Sequence, residues 1–217
     1  MSLSQIVSPA LLVEEHYGNP AGTLMPEEER YVLDAVESRR NEFACARSCA
    51  RRALERLGRP QRAILVGEGR QPIWPYSVVG SLTHCTGYCA AAIAERRSMR
   101  AIGVDAESNT PLADAEFRRI RAEEERSHLA ELPDISGLSW SVLLFSMKES
   151  LFKAWFPLVK RPLPFRLAAA RIDPEAHTFV LHIHHPCADD VVFPKLARGR
   201  YTWTKTHVYS AVEVPEP

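Results

Sequence analysis

Residues 138–156 make an apolar run of helical length with Lys148, Glu149 and Lys153 at its centre. At roughly 100° per residue, Val142, Phe145, Glu149 and Phe156 share one side of such a helix. Leu144, Met147, Leu151 and Trp155 fall on the opposite side. A helix that is apolar nearly all round is a buried helix. Buried charges need a partner, a metal or a ligand, because desolvation costs several kcal/mol per ion. The plainer alternative is a surface pair between Glu149 and Lys153, worth a few tenths of a kcal/mol. That alternative suits an exposed helix better than this one. Pro157 is expected to stop the helix.

A second segment, Ile102-Gly103-Val104-Asp105-Ala106-Glu107, reads as a strand. Residues two apart on a strand share a face, so Ile102, Val104 and Ala106 pack inward while Asp105 and Glu107 project together from the other side. Two carboxylates on one face repel unless a cation lies between them. Oxygen-only ligands favour a hard ion such as Mg²⁺, bound by one or two carboxylates with phosphate and water. Two solvated acids at a strand end is the competing reading.

The chain has 217 residues, enough for one large domain or two small ones. Pro26 followed by three glutamates signals a helix start, and the next glycine is Gly58, so 26–57 reads as one long helix or two joined by a kink. Strands are expected at 61–66, 78–84, 90–94 and 101–107, and residues 1–25 read as irregular or extended. The segment 113–130 reads as a charged helix. The tail reads as strands at 167–172, 178–184, 200–206 and 207–214. Helices followed by strands occur twice, which predicts an α+β fold of two lobes, each with helices on a small antiparallel sheet and a cleft between them. The division falls near residue 108, giving lobes 1–108 and 109–217.

Net charge is zero, from 27 basic and 27 acidic side chains, so bulk charge signals no nucleic-acid surface. No apolar run approaches the ~20 residues that span a bilayer. The first ten residues lack the basic start and apolar stretch of a secretion signal. The expectation is a cytoplasmic protein that binds neither nucleic acid nor membrane. Five cysteines, at 45, 49, 85, 89 and 187, are an odd number and read as small core residues rather than disulfides. A zinc site from Cys45, Cys49, Cys85 and Cys89 is conceivable, but their four-residue spacing is not the usual one. The cluster of His182, His184 and His185 reads as structural.

On the first long helix, Val36, Phe43, Ala50, Leu54 and Leu57 line one face. Arg40 and Arg47 lie within about 40° of that line, with Arg39 at its edge. Arg47, between Phe43 and Ala50, calls for an anion, and its forked donors suit phosphate. Arg51, Arg52 and Arg56 read instead as a solvated basic surface. His84, at a strand end after Gly80-Ser81-Leu82-Thr83, is a phosphate donor, an acid/base group or a histidine merely satisfied in place.

Taken together, these residues resemble the 4′-phosphopantetheinyl transferases, in the branch that serves siderophore, polyketide and nonribosomal-peptide synthases. The matching pieces begin with Arg39-Arg40-Asn41-Glu42-Phe43, Arg47, Cys49-Ala50-Arg51 and Pro72-Ile73-Trp74-Pro75. They continue with Val79-Gly80-Ser81-Leu82-Thr83-His84-Cys85, the Asp105-Ala106-Glu107 strand, and the run from Lys148 to Leu158. The resemblance implies a pseudo-symmetric two-lobed monomer that binds coenzyme A between its lobes. It implies Mg²⁺, or Mn²⁺ in its place, held by Asp105, Glu107 and Glu149. It implies that Lys148 and Lys153 contact phosphate and that Arg39, Arg47 and His84 hold the phosphoadenosine end. Arg40, Arg70 and Ser81 complete the coenzyme A contacts. The implied reaction is attack by a serine of an apo acyl, peptidyl or aryl carrier protein on coenzyme A, releasing adenosine 3′,5′-bisphosphate, with Glu149, Asp105 and Lys153 as the catalytic groups. Glu149 is base, metal ligand or both. Val66 stands where related sequences often carry lysine, a charge that Arg70 could supply. Ala106 between the acids suits the branch, with a water in the metal position that a side chain could take. Two other readings use the same acids: a different Mg²⁺-dependent phosphotransferase or phosphohydrolase, and a non-catalytic carrier-protein-binding module.

Overall fold

The computed structural model describes residues 1–188 and 192–216. The first long stretch divides into α1 (Pro26–Glu29) and α2 (Glu37–Arg56), separated by turns. α2 packs on a three-stranded antiparallel sheet of order β1-β5-β4, built from β1 (Leu12–Tyr17), β4 (Val78–Cys85) and β5 (Tyr88–Glu95). β1 was not expected from sequence. Its burial is half-and-half along its length, without the alternation that marks a strand. A two-stranded ribbon, β2 (Leu65–Val66) with β3 (Pro72–Ile73), replaces the strand expected over 61–66.

A five-stranded antiparallel sheet of order β6-β10-β9-β8-β7 comprises β6 (Met99–Ser108), β7 (Ala168–Asp173), β8 (Thr178–Ile183), β9 (Leu196–Trp203) and β10 (His207–Pro215). β6, grouped by sequence with the first lobe, is hydrogen-bonded to β10 along its length, with Asp105 opposite Ser210. Sequence order hides this pairing, because β10 lies about a hundred residues downstream. The expected helix over 113–130 is three short pieces: α3 (Asp114–Ile120), a 3₁₀ turn at Glu123–Glu125 and α4 (Arg126–Glu131).

α5 (Trp140–Val159) runs through Pro157 rather than stopping before it. Proline removes one backbone donor, and in the last turn that loss is small. Lys160, in the left-handed region at φ 55°, then ends the helix with its N–H on the Phe156 carbonyl.

Three apolar clusters tie the elements together. Cys45, Cys49, Ala53 and Leu54 of α2 pack on Cys89, Ala91 and Ile93 of β5. The other face of that sheet, with Tyr88, Ala90 and Ala92, packs on Ile102, Val104, Ala106, Tyr209 and Ala211. α5 buries Leu144, Met147, Leu151 and Trp155 against the far face of the five-stranded sheet. The layers thus run helix, sheet, sheet, helix. No helix among the described residues is long and apolar enough to cross a membrane.

Candidate active site

The close approach of α5 to β6 builds the site. A Cβ on Gly103 would lie 1.7 Å from the Ser150 carbonyl oxygen and 2.7 Å from the Ala154 nitrogen. Only glycine lets the helix backbone settle there. That contact sets Glu149 and Lys153 on one side of α5 against Asp105 and Glu107 on the same side of β6. β4 runs along the free edge of β6 and satisfies its backbone with hydroxyls. Ser81 Oγ accepts the Val104 N–H at 3.1 Å, and Thr83 Oγ1 accepts the Ala106 N–H at 2.9 Å. Ser81 and Thr83 share a face at strand spacing, a signal the sequence carried.

A cleft of about 710 Å³ opens where β4, β6, α2 and α5 meet. Asp105, Glu107, Glu149 and Lys153 line it, together with Arg39, Arg47, Arg70, Ser81 and His84. Phe145, Phe152 and Phe156 give it an apolar side, and Tyr31, Val32 and Ala35 a wall that sequence reasoning missed. Those three lie in the turns between α1 and α2, inside what reads as continuous helix. Gly69 makes room for the Phe156 ring, which a Cβ there would meet at 2.0 Å.

Asp105 is buried at 2 % exposure. One of its oxygens, Oδ1, accepts Lys153 Nζ at 2.6 Å and the Thr83 hydroxyl at 3.4 Å. The other, Oδ2, is buried with no partner. An orphaned buried carboxylate oxygen is costly unless something binds it. Burial, with the neighbouring Asp105 charge, pushes the Glu107 carboxyl up to about 8. The same two causes raise Glu149. The acids share the cleft and feel one another's charge, yet no set of three His, Cys, Asp or Glu side chains among the described residues stands in ligand geometry. The Lys153 ammonium, on Asp105, offsets part of the repulsion among the carboxylates.

Nearby, Arg39 donates to His84 Nε2 at 2.5 Å, and both approach Glu42. Burial, then the charges of Arg39, Lys153 and Arg47, push His84 down to about 4, so it is the neutral ring that accepts from Arg39. The Arg47 guanidinium lies 3.5 Å over the Phe43 ring, its Nε buried and unpartnered. Arg70 takes a left-handed conformation, φ 65°, at the rim.

Several expectations are corrected. Lys148 does not reach the cleft. Its ammonium is enclosed by Glu125 at 2.8 Å and by the carbonyls of Ile120 and Phe165, because residue 148 falls on the side of α5 that faces those segments rather than β6. Arg40 is exposed and lies off the cleft, one residue round the helix from Arg39. Arg51 is buried at 4 % and paired with Glu28 rather than solvated. Arg52 and Arg56 keep the expected exposure to solvent while reaching Glu14 of β1. Ala106 points away from the acids, into the core between the sheets, so a side chain there would not enter the cleft. Other expectations hold: Cys45, Cys49 and Cys89 lie in the core under α2, and the histidine cluster makes local contacts. His184 pairs with Glu124, and His185 accepts the Cys187 N–H.

Comparison with known proteins agrees with this arrangement. Residues 27–94 match the 4′-phosphopantetheinyl transferase N-terminal domain, and residues 101–199 match the 4′-phosphopantetheinyl transferase superfamily. The chain is 43 % identical over 187 residues to 4′-phosphopantetheinyl transferase Svp of Streptomyces mobaraensis, covering 82 % of this chain and 75 % of that one. It is 42 % identical over 165 residues to 4′-phosphopantetheinyl transferase PptT of Mycobacterium tuberculosis, covering 73 % and 72 %. Enterobactin synthase component D of Escherichia coli O157:H7 is 37 % identical over 129 residues, covering 55 % and 56 %. With both halves of the chain matched in order and the acids and arginines sharing one cleft, the chain belongs to the 4′-phosphopantetheinyl transferase superfamily.

Proposed function

We propose that the protein transfers 4′-phosphopantetheine from coenzyme A to a serine of an apo carrier protein, releasing adenosine 3′,5′-bisphosphate. The observation that carries this reading is a single cleft holding three carboxylates and Lys153 together with Arg39, Arg47, Arg70 and His84. A diphosphate with a 3′-phosphate on its nucleotide needs such a set of donors. That its relatives Svp and PptT are 4′-phosphopantetheinyl transferases supports the group transferred.

Asp105, Glu107 and Glu149 would hold Mg²⁺, with Mn²⁺ as a substitute. The donor set fits: all are oxygen ligands, and Asp105 Oδ2 is buried without a partner. When bound, the ion supplies charge neutralisation at the phosphates. The chain's own residues do the rest. Lys153, hydrogen-bonded to Asp105, is long enough to turn its ammonium to a phosphate oxygen once the carboxylate is otherwise engaged. Arg47 and Arg39 neutralise the phosphoadenosine end. His84, neutral at physiological pH, orients there by hydrogen bonding rather than by charge. The serine hydroxyl attacks the β-phosphorus of coenzyme A, and the bond to the bridging oxygen breaks. The serine proton passes to Glu149, directly or through water, since this carboxylate lines the cleft beside Asp105 and Lys153. Phe145, Phe152 and Phe156 exclude water on the opposing side.

The test is incubation with coenzyme A, Mg²⁺ and an apo carrier protein, followed by intact-mass spectrometry. One phosphopantetheine added to the carrier is the expected result. Cleavage of coenzyme A with an unmodified carrier would identify a hydrolase, and no reaction at all would leave only a binding module.

A further inference from the structure

Two buried ion pairs outside the cleft share one construction. Glu28, fully buried, accepts the Met25 N–H at Oε2 and the Ile64 N–H at Oε1. Its charge is met by Arg51 of α2 at 2.7 Å. Glu125, also fully buried, accepts the Ala122 N–H at Oε2 and the Ala170 N–H at Oε1. Its charge is met by Lys148 of α5 at 2.8 Å. In both, the cation lies 23 residues after the glutamate, on the long helix of its own half of the molecule. Each glutamate therefore does three jobs. It caps its own short helical turn, pins a backbone N–H elsewhere in that half, and fastens both to the long helix.

The first pair has a consequence at the cleft. The turns that follow Glu28 hang from its backbone: the Tyr31 N–H donates to the Glu28 carbonyl and the Val32 N–H to the Glu29 carbonyl. These turns carry Tyr31, Val32 and Ala35, the wall beside Arg39, Phe43 and Arg47. The Tyr31 ring stands 6.4 Å from Phe43, the ring under Arg47. Arg51 also donates to the Thr23 carbonyl, ahead of α1, and to Ser48 Oγ on its own helix, so the segment leading into α1 is tied to α2 as well. Nothing in transfer chemistry requires Glu28 or Arg51 to touch a substrate, and neither lines the cleft.

We infer that Glu28 and Arg51 are positioning residues for the donor, hanging the Tyr31–Ala35 wall of the cleft on α2 in the geometry that receives the nucleotide half of coenzyme A. The inference rests on the coenzyme A reading above. Its signature is a loss of donor affinity that stability alone does not explain, because the Glu125–Lys148 pair has the same construction but does not hang this wall.

The test is calorimetric titration of coenzyme A, and separately of adenosine 3′,5′-bisphosphate, into the full chain without carrier. Glu28→Gln/Arg51→Met removes both charges and leaves neither orphaned. It is expected to raise both dissociation constants by about tenfold, the cost of a wall no longer preorganised. Arg51→Lys, which keeps the charge but not the fork, is expected to fall between this variant and the unaltered chain, and serves if the double variant does not fold. Glu125→Gln, which strands the buried Lys148 ammonium and so destabilises the chain, is nevertheless expected to leave both constants within about twofold. A folded double variant that binds both ligands as the unaltered chain does would overturn the inference. So would equal weakening by Glu125→Gln, or weakening toward coenzyme A that is missing toward the bisphosphate. If the unaltered chain binds no coenzyme A, the reading of the cleft itself is overturned, and the inference with it.

Discussion

Asp105 joins the two halves of the chemistry, with one oxygen on Lys153 and the other buried and unpartnered. Asp105→Asn and Glu149→Gln should each slow transfer at least about a hundredfold, the scale of losing a group that stabilises transition-state charge. Glu149→Gln removes a repelling charge, so its Tm should be held or raised, whereas Asp105→Asn also breaks the pair with Lys153 and its Tm should fall. A transfer rate within a few-fold of the unaltered enzyme would remove these carboxylates from the mechanism. Glu107 makes a separate prediction about pH. Its folded pKa of about 8 lies above its ordinary value of 4.5. Between those values the folded chain binds more protons than the unfolded chain, so stability falls as pH rises. In metal-free buffer Tm should decline between about pH 5 and 8. Glu107→Gln should flatten that slope, and a slope unchanged in the variant would mean the strain lies elsewhere. Sequence spacing paired Asp105 with Glu107, since strand periodicity is local. It could not reveal that Lys153 occupies Asp105, or that Lys148 turns away. The side of a helix that faces solvent, cleft or core depends on what packs against it.

At the scale of elements, the α5–β6 contact decides whether a site exists. Gly103 is the position where strand and helix backbones touch. Gly103→Ala would drive a Cβ into the Ser150 carbonyl, and backbone cannot swing aside as a side chain can. The variant should lose about 2–3 kcal/mol of stability, measured by denaturant unfolding, as overpacked sites do. Its residual activity should fall further than Tm alone accounts for, because Glu149 moves away from Asp105. Wild-type Tm and rate would mean the helix can retreat without cost. The C-terminal end of α2 and both ends of β4, β5 and β10 were legible to within about three residues from proline, glycine and apolar alternation. The turns between α1 and α2 were not, since no breaker residue marks them and their conformation depends on the buried Glu28 carboxylate. Pro157 misled for the opposite reason. A breaker in the last helical turn costs little, and α5 carries on past it.

Across the whole molecule, buried ion pairs hold the outer segments to the two long helices. Lys148 and Glu125 have side chains with no exposure at all. Lys148→Met alone should destabilise by about 3–5 kcal/mol, because it strands a buried carboxylate. Lys148→Met/Glu125→Gln should recover part of that loss, since no lone charge remains. If the double variant is no more stable than the single one, the pair contributes through shape rather than charge. Sequence alone determined the residue types in the cleft, the strand of two acids, the apolar helix with its central charges, and the family to which they belong. Each is a pattern over a few neighbouring residues, or a set of such patterns in order. The tertiary structure decided that β6 pairs with β10, that Arg51 and Lys148 serve the core, and that the Tyr31–Ala35 turns wall the cleft. Those outcomes depend on which distant charge or backbone group is available to satisfy a buried one, and local spacing carries no record of that.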